Sequence, residues 1–379
     1  MAVRLLLMAA PSRRRAFKAL GVALALVVAL AVGEVAARLR GLRPHVEITG
    51  PGLDAFFWIR DQRLGFRNLP DARLEHARSG SVVTTGHEGE RHGLGEVPDP
   101  ARPVVLFVGD STTFCGEVND DETGPSQVGK RLSPALGVGV VNAGVRGYNT
   151  IQATRMAEEW LGRRNVRAVV YTYCDNDYLE NVYPFVQKPA RAPAVALKEG
   201  ALVRVELPDD AGPWGTPVGK DPPPPPSVPL VTALERSSAL AAALGDLLAR
   251  DDGKDEKIWR TSYQWADDHA AGKCLELLVA ELRDLCARKS VPLLVTRFTT
   301  GTKGRPSFML PDESRWIEAA CRSAAVPFVD LSPAFTEDAD SYRAHLLDGR
   351  IDLHYGRHGT ETYGAALAPH VAKIVEGAR

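Results

Sequence analysis

The chain has few cysteines, and their spacing matches no known pattern of zinc ligands or disulfide bridges. There are five among 379 residues; this is an odd count, and no two of them form a CxxC pair. Neither a zinc site nor a disulfide framework is indicated, and a monomer must keep at least one thiol unpaired. No spacing of His, Asp or Glu fits a known ligand set either, so the sequence predicts no metal and no cofactor.

An excess of charge of either sign is also missing. Lys and Arg number 46 against 47 for Asp and Glu, which gives a formal net charge of -1. Because no overall positive field is present, we expect no nucleic-acid partner. Proline and glycine, at 27 and 34 residues, are too few for a fibrous or disordered chain. A globular protein is therefore expected.

One long apolar run lies near the N-terminus. Residues 19–33 read ALGVALALVVALAVG and follow a cluster of three arginines and a lysine. The run has the length of a signal-peptide core, whereas a full membrane span needs about 20 residues; a buried core helix is a third interpretation. Because no small-x-small cleavage site with a polar start follows it, we favour an uncleaved transmembrane signal anchor over residues 17–37.

The orientation of this anchor follows from its flanking charges. More basic residues precede the run than follow it, so the positive-inside rule places residues 1–16 in the cytoplasm. The rest of the chain is then expected on the non-cytoplasmic side, either periplasmic or extracellular. Residues 38–100 are interpreted as a linker and N-terminal extension.

From about residue 100, short apolar runs alternate with helical patterns. This alternation predicts an α/β domain over residues 101–379 with a mostly parallel sheet. A proline-rich stretch at about 182–260 interrupts the alternation, and we interpret it as an insertion over one edge of the sheet. The predicted strands are 103–108, 138–141, 168–173, 292–297 and 327–330, and the predicted helices are 151–163, 271–289, 312–324 and 360–375.

A serine directly follows the first predicted strand. The segment VVLFVGDSTTF runs from this strand into Gly109, Asp110 and Ser111. In open α/β sheets, ligands bind at the carboxyl ends of the strands, which is where this serine lies. The same residue types also form ordinary turns, so the segment alone does not assign a function.

Two later segments also follow predicted strands. They are VNAGVRGYNT over residues 141–150 and YTYCDND over residues 171–177. With the GDS segment, they occur in the order of the sequence blocks of the SGNH (GDSL-like) serine hydrolases, and the chain resembles this family over about residues 100–375. The resemblance implies a flavodoxin-like three-layer α/β/α SGNH hydrolase fold.

The resemblance also implies roles for individual residues. Ser111 would be the nucleophile, and the oxyanion hole would be formed by Ser111, Gly147 and the Asn176 side chain, with Gly144 as an alternative to Gly147. Such donors are needed because a tetrahedral acyl intermediate develops negative charge on its oxygen. Three loops at one edge of a sheet can supply them.

The fourth segment, RIDLHYGRHGTETYGAALAPHVAKIV, lies near the C-terminus. An acid close to a histidine can fix the imidazole tautomer while the other ring nitrogen takes the proton of the serine. The resemblance implies this role for Asp352 and His354, with His358 as the alternative base. The Asp-x-His spacing is one residue shorter than the usual Asp-x-x-His of the family.

The resemblance implies an acyl ester hydrolase with a Ser-His-Asp triad. Its substrate would be an acyl ester, including an acylated envelope glycan or lipid. An O-acyltransferase or deacetylase of a cell-envelope glycan uses the same residues with another acceptor, and the sequence does not separate these activities. A catalytically inactive, membrane-tethered glycan-binding protein on the same fold is the alternative from another class.

Overall fold

The computed structural model of this chain forms two compact units. One unit contains residues 1–47 and 224–252, and the other contains residues 48–223 and 253–379. The residues that the structure describes are 11–39, 58–75, 80–93, 99, 101–174, 177–182, 193–205, 238, 240, 241, 244, 268–297, 314–335 and 354–378.

The first unit is built around the apolar helix α1, Pro11–Leu39. Its part Phe17–Leu39 is long and apolar enough to cross a membrane, which fits either an anchor or a signal sequence. Within this unit, Glu34 Oε2 accepts hydrogen bonds from Ser238 Oγ at 2.7 Å and from the backbone N–H of Leu240 at 3.0 Å. Part of the predicted insertion therefore packs against α1.

The second unit has a five-stranded sheet in which every pair of neighbouring strands is parallel. The strands are β5 (Val104–Gly109), β6 (Gly139–Asn142), β7 (Val166–Tyr173), β10 (Leu293–Arg297) and β11 (Phe328–Asp330). Their spatial order is β6-β5-β7-β10-β11. Strand β6, which follows β5 in the chain, thus lies at one edge of the sheet. The next strand, β7, pairs with the other side of β5, so the order reverses between β5 and β7. This reversal is the topological switch point, where open sheets bind their ligands.

Helices cover both faces of this sheet. Alternate residues of β5 enter two apolar clusters: Leu106 packs with one set of helices, and Phe107 with the other. The α/β class and the three-layer fold are therefore confirmed. The first set is α4 (Thr150–Arg163), α6 (Asp268–Arg288) and α7 (Ser314–Ser323); the second is α3 (Gly124–Leu136) and α8 (Arg357–Gly377). The short helices are α2 (Ser111–Phe114) and α5 (Asp177–Glu180).

The five predicted strands and four predicted helices are confirmed with small shifts at their ends. Helix α3 was not predicted, although it begins at a Thr123 cap with Pro125 beside it and ends at Gly137 in a left-handed conformation. It packs closely on α8, where a Cβ on Gly364 would lie 2.3 Å from Gln127 Cβ without displacement.

Two antiparallel strand pairs lie in the N-terminal extension. Leu64, Phe66 and Val83 from this region are fully buried in the same apolar cluster as the sheet, and Tyr148 OH donates to the Phe66 carbonyl at 2.7 Å. The extension therefore packs as part of the sheet unit. The pairs are β1 (Trp58–Asp61) with β2 (Gly65–Asn68), and β3 (Arg73–Glu75) with β4 (Val82–Thr84).

Most of the predicted insertion lies outside the described residues. Its described hairpin, β8 (Ala194–Lys198) with β9 (Ala201–Val205), belongs to the sheet unit. Val195 is buried with Ile151 of α4 and Leu278 of α6. This part of the insertion therefore covers the helix layer.

Candidate active site

Ser111 lies at the carboxyl end of β5, beside the switch point. Asp110 caps helix α2 at this position, because its Oδ1 accepts the backbone N–H of Thr112 at 2.8 Å and the Thr112 hydroxyl at 2.7 Å. The Asp110 side chain is thus occupied by the helix start, while Ser111 is the first helical residue. This cap fixes the backbone conformation at Ser111 and so the direction of its side chain.

Gly109 is required by the turn between β5 and α2, which places Ser111 at the edge of the sheet. Its φ is +154°, and an added Cβ would lie 2.6 Å from the carbonyl oxygen of Thr172 on the neighbouring strand β7. No side chain fits there without moving backbone. The glycine of the GDS segment therefore lets two strands approach at the point where the serine emerges.

His354 lies next to Ser111. Its Nε2 is 2.8 Å from Ser111 Oγ, although 243 positions separate the two residues. The His354 side chain is about one quarter exposed, at 27%. His358, the alternative base, is exposed in the first turn of α8. The structure thus brings Ser111 together with His354.

Two glycines follow β6, and their surroundings differ. Gly144 donates its backbone N–H to Asn142 Oδ1 at 3.0 Å, and a Cβ on it would lie 2.6 Å from the backbone nitrogen of Phe114. Gly144 is therefore a packing contact between this loop and α2. Gly147 has a φ of +79°, a conformation that favours glycine.

Asn176 and Asp352 lie outside the described residues, so their roles stay predictions. The loop before Asn176 is held by Asp177, whose Oδ2 accepts hydrogen bonds from Tyr171 OH at 2.8 Å and from the backbone N–H of Cys174 at 3.2 Å. Burial, together with nearby Asp110, raises the pKa of the Asp177 carboxyl well above its ordinary value. Through these two hydrogen bonds the Asp177 side chain anchors the loop.

An ion pair beside the histidine was not found by sequence reasoning. Glu117 is 1% exposed at its side chain; its Oε1 lies 2.7 Å from Arg146 Nη1 and 3.7 Å from His354 Nδ1. Several acids follow Glu117 within five residues, and no spacing distinguishes it from them. Arg146 directly precedes Gly147, which was the one signal that could have drawn attention to it.

Arg91 packs against the loop that follows α2 and holds it through side-chain contacts. Its side chain is fully buried, pairs with Asp120, donates from Nη2 to the Val118 carbonyl at 2.8 Å and lies over the Phe114 ring at 5.5 Å. Its backbone N–H also donates to the carbonyl of Asn142 at 2.8 Å. Burial lowers the pKa of Arg91 to about 9, so it stays charged at neutral pH.

The two cysteines near the site are not bridged. Cys115, four residues after Ser111, and Cys174, directly after β7, are both buried and form no disulfide. Burial raises the pKa of the Cys115 thiol to about 12, which makes it a poor nucleophile. In the described part of the chain, no group of three or more His, Cys, Asp or Glu residues could hold a metal ion.

Comparison with solved structures finds distant similarities. A catalytic mutant of an acetylxylan esterase from Geobacillus stearothermophilus is 15% identical, with 74% of this chain and 96% of that chain covered and a TM-score of 0.39. A GDSL-like lipase from Bacteroides thetaiotaomicron is 12% identical, with 76% and 93% covered and a TM-score of 0.35. Comparison with curated proteins finds no match.

A family model gives a much firmer result. The model of the GDSL-like lipase/acylhydrolase family matches residues 107–361, which include the serine segment, the loops after β6 and β7 and the histidine segment. The matched region is more than half of the chain. This protein therefore belongs to the GDSL-like lipase/acylhydrolase family and is a hydrolase that acts on ester bonds.

Proposed function

We propose that this protein hydrolyses acyl esters with Ser111 as nucleophile, His354 as general base and Asp352 as the supporting acid. One observation carries the proposal: His354 Nε2 lies 2.8 Å from Ser111 Oγ at the switch point of the sheet. A general base must be within hydrogen-bond reach of the proton that it removes, and this pair meets that requirement.

The reaction needs only groups of the chain and water. As Ser111 Oγ bonds to the ester carbonyl carbon, its proton moves to His354 Nε2 and the C=O π electrons become an oxyanion lone pair. Collapse of this intermediate breaks the bond to the alcohol oxygen, which takes the proton from His354 as it leaves. Water then repeats the cycle on the acyl-enzyme, releases the acid and restores Ser111.

The oxyanion would be bound by the backbone N–H groups of Ser111 and Gly147 and by the Asn176 side chain. Gly147 is the donor that the resemblance to the family implies, and Gly144 is disfavoured because its N–H donates to Asn142 Oδ1 and its Cα packs against α2. The removal of one such donor typically lowers kcat by about 10²–10³. No cofactor enters this scheme.

A fluorophosphonate probe tests the proposal on the full chain. The phosphorus atom should be attacked by the activated serine with loss of fluoride, so mass spectrometry should locate a single adduct on Ser111. Ser126→Ala is the matched control, because this serine is buried near the site but its hydroxyl donates to the Asp120 carbonyl. Labelling should persist in this control.

Two results would count against the proposal. An adduct on another serine would assign the nucleophile elsewhere. A well-folded protein that neither reacts with the probe nor hydrolyses short acyl esters or acetylated sugars would instead support the inactive glycan-binding alternative.

We further propose that α1 anchors the hydrolase domain on the non-cytoplasmic side of a membrane. The apolar side chains of Phe17–Leu39 are largely exposed in the structure, and the basic residues before them exceed those after them. An acyl ester of an envelope glycan or lipid would then be within reach.

This topology predicts that the full chain fractionates with membranes. Protease added to the non-cytoplasmic side should digest the hydrolase domain, whereas protease added to the cytoplasmic side of sealed vesicles should leave it intact. Recovery in the soluble cytoplasmic fraction would contradict the topology but not the chemistry.

A further inference from the structure

Glu117 occupies the side of His354 that faces away from Ser111. Its Oε1 lies 3.7 Å from His354 Nδ1, while Ser111 Oγ lies 2.8 Å from Nε2. Glu117 is six residues after Ser111, in the loop that follows α2, and its side chain is 1% exposed. A carboxylate thus approaches the imidazole from the loop that follows the helix of Ser111.

A buried carboxylate is unfavourable unless opposite charge compensates it. Arg146 supplies a permanent charge at 2.7 Å from the same Oε1 atom, and its side chain is itself only 18% exposed. Gly116 leaves room for this contact, because a Cβ there would lie 3.0 Å from Arg146 Nη1 and 3.3 Å from the Phe114 ring. The local packing therefore accommodates the ion pair between Glu117 and Arg146.

The distance between Glu117 and His354 indicates an electrostatic role. At 3.7 Å the two atoms are too far apart for a good hydrogen bond, but opposite charges at this separation interact strongly where water is excluded. In the active form, in which the imidazole is neutral, His354 becomes positively charged when it takes the proton of Ser111. Glu117 therefore interacts more strongly with the intermediate than with the resting state, which is the condition for catalysis.

We infer that Glu117 is a positioning residue for His354, that it stabilises the imidazolium formed when Ser111 transfers its proton, and that Arg146 holds Glu117 in place. The inference rests on the proposed function and adds a second carboxylate to the predicted triad. The proton moves from Ser111 Oγ to His354 Nε2, Nδ1 keeps its own proton, and Glu117 stays ionised throughout.

The same ion pair joins two parts of the site. Glu117 lies in the loop that follows α2, the helix of Ser111. Arg146 directly precedes Gly147, the proposed oxyanion donor, in the loop after β6. Other charged or titratable groups surround this region, while Asp352 lies outside the described residues. They are Asp110 beside Ser111, Arg91 and Cys115 within electrostatic reach of Glu117, and Arg357, His358 and Glu122 around the start of α8.

Glu117→Gln tests this role in the full chain with a short acyl ester. We expect kcat to fall by about 10- to 100-fold, less than the roughly 10⁴-fold effect of losing a principal triad acid. KM should change by less than about threefold, because a side chain that is 1% exposed offers little surface to substrate. The acid limb of the pH–rate profile should move to lower pH, because a negative charge that favours the imidazolium has been removed.

Glu117→Asp provides a second variant if the glutamine variant fails to fold. It keeps the buried negative charge but shortens the side chain by one methylene and so increases its distance from His354; kcat and the acid limb should therefore lie between those of wild type and Glu117→Gln. The matched control is Glu159→Gln, which removes another poorly exposed, arginine-paired glutamate, 3.1 Å from Arg67 and away from the site. Its kcat and acid limb should match wild type.

Unchanged kcat and an unmoved acid limb in folded Glu117→Gln would overturn the inference. If the glutamine variant does not fold, an Asp variant identical to wild type in both quantities has the same consequence. An acid limb that moves only in Asp352→Asn would make Asp352 the sole partner of His354. Failure of the proposed function is distinct, because it appears as absent turnover in wild type or as retained turnover in Ser111→Ala.

Discussion

Ser111→Ala is expected to abolish ester hydrolysis, with kcat lower by about 10⁴–10⁶ because the nucleophile itself is removed. Binding should persist, since the proposed oxyanion donors are untouched. The variant loses one partly exposed hydroxyl, so its free energy of unfolding should change by no more than about 1 kcal/mol. Steady-state kinetics with a short acyl ester and denaturant unfolding measure the two effects separately.

Ser126→Ala serves as the control, because it removes a hydroxyl from a buried serine of α3 that faces Thr123 and Asp120. It should lower stability slightly and leave kcat near the wild-type value. More than a few per cent of wild-type activity in folded Ser111→Ala would mean that another residue is the nucleophile.

His354→Ala should lower kcat nearly as much as Ser111→Ala does, because a nucleophile without its base is as ineffective as a missing one. The double variant should be no slower than the slower single variant, since the two residues act as a unit. His358→Ala should change kcat by less than about threefold, because this residue is exposed in the first turn of α8 while His354 contacts Ser111.

The reverse order of effects would make His358 the base. The supporting acid would then have to be a residue other than Asp352. Additive losses in the double variant would instead indicate that Ser111 and His354 act in separate steps.

The buried strands were predictable because a parallel strand covered on both faces is a continuous apolar run. All six residues of β5 are buried. Helix α3 was less visible, since Pro134 and several small residues interrupt its pattern. Strands β1 to β4 are three or four residues long, too short for a period of two to be distinguished from a loop.

The site was predictable only in part. Ser111 and His354 are 243 positions apart, and no local pattern relates them, so their pairing depended on the order of the family's sequence blocks. Glu117 has no such support, because its contact with His354 depends on how the loop after α2 folds back. Residues 117–122 include four acids, and their sequence does not indicate which carboxylate is buried beside the histidine.

Arg91 shows that the cooperative unit of this enzyme extends beyond the region that the family model matches. It precedes residue 107, where the family match starts, yet its buried guanidinium binds Val118 and Asp120 just downstream of Ser111. Local opening of the segment that contains Arg91 would withdraw this charge from the Asp120 carboxylate and the Val118 carbonyl. We therefore expect this part of the extension and the loop after α2 to open together, so that the folding unit is larger than the sequence signature by which the family is recognised.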